Sequence, residues 1–213
     1  MDKSLALDER SVTVSTAAEA AANVKKYGVA IWRGLASPEI TSQLYEPVKR
    51  NLPNASAYVS AKFGVQSLSV LPQAVQDACV VPDITNVFTA LLGEHHLHTR
   101  EIYLTAPVVL PHQWHQDARN LETPYAVFVW VAATAAGGDE PGLSFVLNNP
   151  GRYLGGDYHV AKFADTQKVI SPVFAPGDAF FFDIYSPHKT NLNPAMKFSR
   201  IAYKLGAGVG RRP

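Results

Sequence analysis

Residues 178–208, DAFFFDIYSPHKTNLNPAMKFSRIAYKLGAG, consist of two apolar runs separated by a polar segment rich in Pro and Asn. Aromatic and β-branched residues favour strands, whereas Pro and Asn favour turns. The same pattern begins near His96 and recurs in HLHTREIYLT, YAVFVWVAAT, GLSFVL and KVISPVFA. Several short strands with turn signals between them, and no interleaved helices, predict a β-sandwich or barrel rather than a doubly wound sheet.

The first half of the chain is different, because its patterns are mainly helical. STAAEAAANVKKYG consists of helix-forming residues and ends at Gly28, a typical helix stop. SPEITSQLYEPVKRNL has Pro38 in the first helical position, and a further helical stretch is interrupted near Pro82. We find no internal repeat and no linker. We therefore expect one domain over residues 1–213, with a helix-rich part at about 1–95 and a β core at about 96–208.

Composition narrows the class of protein and its partners. The 213 residues are 47% hydrophobic and 17% charged, with a formal net charge of +1, which is typical of a soluble globular protein. No basic block predicts a nucleic-acid or membrane partner. Cys79 is the only cysteine, so an internal disulfide and a cysteine-built zinc site are excluded. With no secretory signal or apolar span, we expect a cytoplasmic protein, and the oligomeric state stays open.

The stretch PHQWHQDARN, residues 111–120, contains a candidate metal-binding pair. If this segment is extended, side chains alternate between two faces, so His115 and Asp117 point the same way. Trp114 and Gln116 then point the other way. An imidazole nitrogen and a carboxylate oxygen two residues apart can bind one metal ion. Such a pair is weak evidence alone, since it also occurs as an ordinary surface or strand-edge pair.

The hypothesis of a metal site is strengthened by two residues that lie much later in the chain. His188 follows a strand and a turn, and Arg200 begins the next apolar strand. Two histidines and one carboxylate form the facial triad of non-haem Fe(II) oxygenases, which leaves coordination positions open. An arginine one hairpin beyond the distal histidine can bind a carboxylate through two hydrogen bonds. The alternatives are a turn histidine and a solvated arginine at a strand end.

On these residues, the sequence resembles the phytanoyl-CoA dioxygenase family of Fe(II)/2-oxoglutarate-dependent oxygenases. The resemblance is carried by WHQD, GLSFV, PGDAFFFD with the following PH, and the arginine after it. The N-terminal YGVAIWRGLASPEI is similar to the usual opening of that family, so the resemblance covers about residues 23–206. It implies a mainly β fold with flanking helices, a double-stranded β-helix of the jelly-roll or cupin-like type.

The resemblance also implies a reaction and a set of roles. The protein would bind Fe(II), 2-oxoglutarate and dioxygen, and would hydroxylate a small molecule. His115, Asp117 and His188 would bind the iron, and Arg200 would pair with the distal carboxylate of 2-oxoglutarate. Three further residues would line the cosubstrate pocket: Thr190, Trp130 and Tyr103. Gln116 matches a glutamine of the family, and its orientation away from the metal implies an indirect role.

Departures from the family pattern limit what the resemblance implies about substrate. Family members usually carry a Ser-His pair where this chain has LNNPGRYLGG, so an acyl-CoA substrate does not follow. Arg119 and Asn120, just past the predicted iron ligand, are candidates for substrate contact or simply a solvated loop. The carboxylate of Asp117 occupies the position that is a small residue in related halogenases. Hydroxylation is therefore favoured over halogenation, with desaturation and ring formation left open.

Other histidines and two further functions have to be weighed. His112 could join His115 in a metal site, although an extended entry into the strand is favoured. His96 and His98 are expected to be a polar strand start, and Asp183 a turn residue. The alternatives to a 2-oxoglutarate-dependent enzyme are a cupin-type metalloenzyme that uses the same triad without 2-oxoglutarate, and a non-catalytic jelly-roll binding protein. Arg200 with Thr190 argues against the first, and the intact triad against the second.

Overall fold

Ten strands in two sheets make up the β part of the computed structural model, which describes residues 7–51, 64–105, 112–192 and 195–209. In chain order the strands are β1 Thr13–Val14, β2 Val29–Trp32, β3 Gly64–Ser67, β4 His96–Thr105, β5 Ala126–Ala132, β6 Gly142–Val146, β7 Val169–Ile170, β8 Ala179–Asp183, β9 His188–Asn191 and β10 Arg200–Gly208. The predicted strand at 168–175 is thus confined to its first residues. The chain after it is irregular, apart from a bridge between Phe174 and Ala136.

Six α-helices accompany the strands in these described ranges, five of them in the first half of the chain. They are α1 Glu9–Val12, α2 Ala17–Tyr27, α3 Pro38–Asn51, α4 Gln73–Ala78, α5 Pro82–Leu92 and α6 Asp157–Ala164. The Thr16 hydroxyl caps α2 by accepting a hydrogen bond from the Glu19 amide. Gly28 ends this helix with a φ of 85°, which glycine adopts without strain. The predicted stop at Gly28 and the predicted break near Pro82 are both confirmed.

The larger sheet has seven strands in the order β1-β2-β8-β5-β10-β4-β3, and the smaller has three in the order β7-β6-β9. Apart from the parallel pair β1 and β2, the strand pairs are antiparallel. Strands β1 to β3 join the larger sheet although they come from the helix-rich part of the chain. One sheet therefore draws on both parts of the sequence.

The two faces of the larger sheet belong to two different cores. Alternate residues such as Val129, Phe181 and Leu205 pack outward against α2 and α5. Their neighbours, such as Phe128 and Phe180, point inward to the second sheet and join its side chains in an aromatic-rich interior. This alternation follows from the two-residue period of a strand. It makes the space between the sheets the barrel interior.

The smaller sheet is covered on its outer side by α6, where Val160 and Ala164 pack with Trp114 and Val146. Two sheets facing each other around a shared interior, with helices against the outer faces, form a double-stranded β-helix, as the sequence resemblance implies. In the part of the chain that is described, no helix has the length and apolar character needed to cross a membrane.

Candidate metal centre

The backbone brings two of the predicted metal ligands side by side. His115 donates its amide to the His188 carbonyl, and His188 returns the same bond, both at 3.0 Å. This antiparallel bridge adds the segment around His115 to the edge of the smaller sheet beyond β9. The two imidazole rings consequently lie with their centroids 4.2 Å apart in the barrel interior.

Each imidazole is oriented by a carbonyl of its own chain segment. Nδ1 of His115 lies 2.7 Å from the Gln113 carbonyl, and Nδ1 of His188 lies 2.9 Å from the Ser186 carbonyl. A carbonyl oxygen only accepts hydrogen bonds, so Nδ1 carries the proton in both rings. The lone pair of each neutral ring is therefore on Nε2, the tautomer required of a metal ligand.

Asp117 offers the third candidate ligand atom. Its Oδ1 lies 3.9 Å from Nε2 of His115 and 4.0 Å from Nε2 of His188. All three ligand atoms lie within 4.8 Å of one another. Within the described ranges this is the only group of three or more His, Cys, Asp or Glu side chains with such geometry. The arrangement is two imidazole nitrogens and one carboxylate oxygen converging on one point.

The charges around this point favour the ligand forms of all three residues. Burial, together with the neighbouring His188, lowers the pKa of His115 to about 4. Burial likewise lowers the pKa of His188, so both rings are neutral near pH 7. Burial would raise the pKa of Asp117, but the Lys204 ammonium and its hydrogen bond, together with the two neighbouring histidines, hold that pKa below its usual range. The carboxylate is therefore ionised.

Lys204 is the residue that sequence reasoning missed as a neighbour of the triad. Its Nζ donates to Oδ2 of Asp117 at 2.7 Å, across the barrel and 87 residues away in sequence. The same ammonium lies 4.1 Å from the centre of the Phe128 ring. The alternation of side chains along a strand could have indicated this position. Lys204 lies four residues after Arg200 on the same strand and therefore points to the same face.

Two buried polar side chains hold the segments that carry the ligands. Gln116 points away from the triad, as predicted, and donates to the carbonyls of Arg152 and Tyr185 while accepting from the Leu154 amide. Asp183 accepts from the amide of Tyr185 and the hydroxyl of Ser186, in the turn before His188. Asp183 therefore organises that turn, in agreement with its predicted role as a turn residue.

Arg200, the predicted cosubstrate ligand, is buried at the start of β10. Its guanidinium donates to the carbonyls of Pro141 and Gly142 and to the Thr105 hydroxyl, at 2.8–3.2 Å. It also lies over the Trp130 ring, 5.2 Å from the ring centre. The structure thus brings Arg200 and Trp130 together in the barrel interior. Their predicted contacts with 2-oxoglutarate stay predictions.

Thr190 and Tyr103, the other two predicted pocket residues, lie on strands that flank the same interior. Thr190 pairs across the smaller sheet with Leu143, whose neighbour Gly142 accepts from Arg200. Tyr103 pairs with Ala202 on β10 and donates its hydroxyl to Glu101. Burial and the negative charge of Glu101 raise the pKa of Tyr103, so its hydroxyl stays protonated. Roles for both in cosubstrate binding stay predictions.

The candidate substrate residues are in the loop after Asp117. Asn120 uses its side chain inside that loop, accepting from the Glu122 amide and the Thr123 hydroxyl. Arg119 is exposed and lines a small cavity with Gln116 and Tyr153. Asn120 is therefore engaged in loop structure, whereas the side chain of Arg119 lies beside a cavity.

The remaining histidines lie outside the triad. The ring of His112 stacks on that of His115 with centroids 3.5 Å apart, and it is not one of the converging ligands. His96 and His98 begin β4, as predicted, and line a second cavity of about 320 Å³. The pairing of β4 with β10 shifts at one point: Gly206 pairs with Thr99, and the next residue, Ala207, pairs with Leu97. His98 is skipped in this pairing and forms a β-bulge.

Comparison with known proteins identifies similar folds. No protein-family model and no curated protein matches this sequence. Among solved structures, the non-heme alpha ketoglutarate dependent epimerase SnoN from nogalamycin biosynthesis is 15% identical, with a TM-score of 0.71 over 92% of this chain and 85% of SnoN. The carbocyclase SnoK from the same biosynthesis is 16% identical, with a TM-score of 0.67 over 91% and 86% of the two chains.

A third similar structure is EvdO2 from Micromonospora carbonacea var. aurantiaca, which was solved with 2-oxoglutarate. It is 16% identical, with a TM-score of 0.65 over 89% of this chain and 90% of EvdO2. SnoN has also been solved with Fe3+, alpha ketoglutarate and nogalamycin RO. At these identities the likeness establishes the fold, which this chain shares with SnoN, SnoK and EvdO2.

Proposed function

We propose that this protein is an Fe(II)- and 2-oxoglutarate-dependent dioxygenase of the phytanoyl-CoA dioxygenase type that hydroxylates a small molecule. The observation that carries this proposal is the convergence of His115, Asp117 and His188 within 4.8 Å, inside a double-stranded β-helix. The sequence resemblance and the known ligands of the structural neighbours SnoN and EvdO2 support it.

The residues present fit a divalent iron. Three electron-pair donors, Nε2 of each histidine and Oδ1 of Asp117, lie within 4.8 Å of one another, close enough to bind one cation together. Two imidazoles and one carboxylate are the donor set of non-haem Fe(II) oxygenases, in which the protein occupies only part of the coordination sphere. Bound there, Fe(II) with dioxygen would couple the decarboxylation of 2-oxoglutarate to succinate and CO2 with oxidation of a substrate C–H bond.

The protein's own contribution is positioning and charge. The carbonyls of Gln113 and Ser186 fix the two imidazoles as Nδ1–H tautomers, so that Nε2 is directed to the metal. Arg200 would bind the distal carboxylate of 2-oxoglutarate, with its guanidinium already held against Trp130 and three oxygen acceptors. A preformed guanidinium loses little conformational entropy when it binds a carboxylate.

The cavity at the start of β4, which His96 and His98 line, supports a small substrate. Its volume of about 320 Å³ suits a small molecule, and its described lining contains histidine, tyrosine and apolar side chains. Ile184 belongs to that lining, and its carbonyl accepts a hydrogen bond from the amide of Ala118, the residue after Asp117. The described lining includes no lysine or arginine for the phosphates of an acyl-CoA. We therefore propose an uncharged or weakly charged small molecule as the substrate.

Succinate release tests the proposal. Wild-type protein with Fe(II), 2-oxoglutarate and a panel of small molecules is expected to release succinate, and Asp117→Ala is expected to abolish that release. Asp165→Ala removes an exposed carboxylate at the end of α6 and serves as the matched control. Full turnover in Asp117→Ala, or none in wild type across the panel, would contradict the proposal.

A second outcome of the same chemistry is favoured by the neighbours, because SnoN is an epimerase and SnoK a carbocyclase. Ring closure would consume the same cosubstrate and release the second oxygen atom as water. Epimerisation would do so too, with two electrons drawn from an added reductant such as ascorbate. Mass analysis of the product formed under ¹⁸O₂ distinguishes them. Hydroxylation adds one labelled oxygen atom to the product, whereas epimerisation adds none.

A further inference from the structure

The carboxylate of Asp117 uses its two oxygens differently. Oδ1 faces the two imidazoles, at 3.9 and 4.0 Å from their Nε2 atoms. Oδ2 accepts a hydrogen bond from Lys204 at 2.7 Å. The ligand side of the carboxylate is therefore distinct from the side that is held by the protein.

Lys204 is itself held in place from several directions. It lies on the inner face of β10, directly across from Glu101 on β4 and Trp130 on β5. Its ammonium packs 4.1 Å from the Phe128 ring centre and 5.5 Å from that of Phe182. A cation over aromatic rings and against a carboxylate, with a mostly buried side chain, has few other positions to adopt.

We propose that Lys204 is a positioning residue that keeps Asp117 a monodentate ligand through Oδ1. This inference rests on the proposed function. Carboxylates bind metals through one oxygen or through both, and nothing in the carboxylate alone selects between the two modes. A charge-assisted hydrogen bond on Oδ2 opposes the second mode, because Oδ2 would have to exchange it for the metal.

The number of coordination positions makes this choice matter. Three protein ligand atoms leave three positions of an octahedral ion, and 2-oxoglutarate would take two of them. A bidentate Asp117 would take the last position and close the metal to a further ligand. Lys204 would thus preserve the position at which the oxidant enters, without contacting the cosubstrate.

A competing role for Lys204 is binding of the distal carboxylate of 2-oxoglutarate. Lys204 and Arg200 are four residues apart on one strand, which is about 13 Å at the usual rise per residue. The two cations therefore lie in different parts of the barrel. Lys204 contacts Asp117. Arg200 contacts the Thr105 hydroxyl and the carbonyls of Pro141 and Gly142. The experiment separates these roles.

The test uses nitric oxide as a probe of the open position. Anaerobic protein with Fe(II) and 2-oxoglutarate is titrated with nitric oxide, and the electron paramagnetic resonance signal of the iron–nitrosyl species is quantified per iron. Wild type is expected to give the full signal. Lys204→Met is expected to keep the visible charge-transfer band of the iron–2-oxoglutarate complex but to lose at least 10-fold in nitrosyl signal. Lys204→Arg, which can still donate to Oδ2, is expected to restore most of it.

Controls make each outcome decisive. Lys168→Met removes an exposed lysine and is expected to match wild type. If Lys204→Met does not fold, as judged by circular dichroism, Lys204→Leu, which also has no hydrogen-bond donor, takes its place. An undiminished nitrosyl signal in the folded variant overturns the inference, and so does loss of the charge-transfer band with iron still bound, which indicates a cosubstrate ligand. Absence of that band in wild type contradicts the proposed function instead.

Discussion

The two faces of strand β10 differ: one packs in the hydrophobic core, and the other lines the candidate metal centre. The outward face packs against the helices and is entirely apolar apart from one tyrosine hydroxyl; it consists of Ile201, Tyr203, Leu205 and Ala207. The inward face carries two cations, followed by two glycines at the end of the strand; it consists of Arg200, Ala202, Lys204, Gly206 and Gly208. Because side chains alternate along a strand, one sequence step moves from the core to the candidate site. Substitutions of the outward apolar side chains should therefore change stability, whereas substitutions of the two inward cations should change the cosubstrate requirement or the nitrosyl signal.

The largest expected effect is on the outward face. Leu205→Ala removes a fully buried side chain and is expected to lower the free energy of unfolding by about 2–5 kcal/mol. Urea denaturation measures this change. The concentration of 2-oxoglutarate required by the folded protein should stay the same. The distinction between the two faces would be wrong if Leu205→Ala changed the required 2-oxoglutarate concentration while the free energy of unfolding stayed the same.

On the inward face, Arg200→Ala is expected to raise the 2-oxoglutarate concentration required for half-maximal turnover by roughly 10- to 100-fold. This range corresponds to loss of about 1.4–2.8 kcal/mol in a charge-assisted contact. Steady-state kinetics with varied 2-oxoglutarate measure it. Arg100→Ala on β4, where the arginine is exposed and pairs with outward-facing Leu205, is the matched control. An unchanged requirement in Arg200→Ala would move the carboxylate ligand elsewhere.

Gly206→Ala tests how tightly the inward face is packed. A Cβ at this position would lie 2.7 Å from two atoms of the Phe128 ring and 2.8 Å from Cβ of Thr99. Both the ring and the neighbouring strand at Thr99 must therefore shift, and we expect a loss of about 1–3 kcal/mol in the free energy of unfolding. Thermal and urea denaturation report it, and Phe128→Leu in the same chain should recover part of the loss. No loss in Gly206→Ala would mean that the ring has room to shift.

The smallest expected effect sharpens the description of the outward face. The Tyr203 hydroxyl is buried with no hydrogen-bond partner among the described residues. Burial raises the pKa of this tyrosine well above its ordinary value, so it carries no charge. Tyr203→Phe is expected to leave the free energy of unfolding unchanged or to raise it by up to about 1 kcal/mol. A loss greater than 1 kcal/mol in urea denaturation would reveal a hydrogen bond to this hydroxyl.

Strand alternation explains how much could be predicted from the sequence. The two-residue period placed His115 with Asp117 and turned Gln116 away, as the structure has them. Turn signals separated the strands well enough to predict a sandwich or barrel, and the family resemblance implied the double-stranded β-helix. Helix ends were predictable where a local residue determines them, as Gly28 does for α2.

Contacts across the barrel could not be predicted in the same way. The bond from Lys204 to Asp117 joins strands far apart in sequence, and no local pattern encodes which inward cation meets which carboxylate. The bulge that turns His98 toward the second cavity depends on the pairing register of β4 with β10. Register is set by the packed sheet, so these features follow only from the assembled fold.

Anomalous diffraction at the iron edge, from crystals soaked anaerobically with Fe(II) and 2-oxoglutarate, tests the central claim most directly. The account predicts one strong iron peak about 2.0–2.2 Å from Nε2 of His115, Nε2 of His188 and Oδ1 of Asp117. The keto and adjacent carboxylate oxygens of 2-oxoglutarate should occupy two further coordination positions, with the distal carboxylate at Arg200. An iron peak elsewhere, or none at these three atoms in iron-loaded crystals, would contradict it.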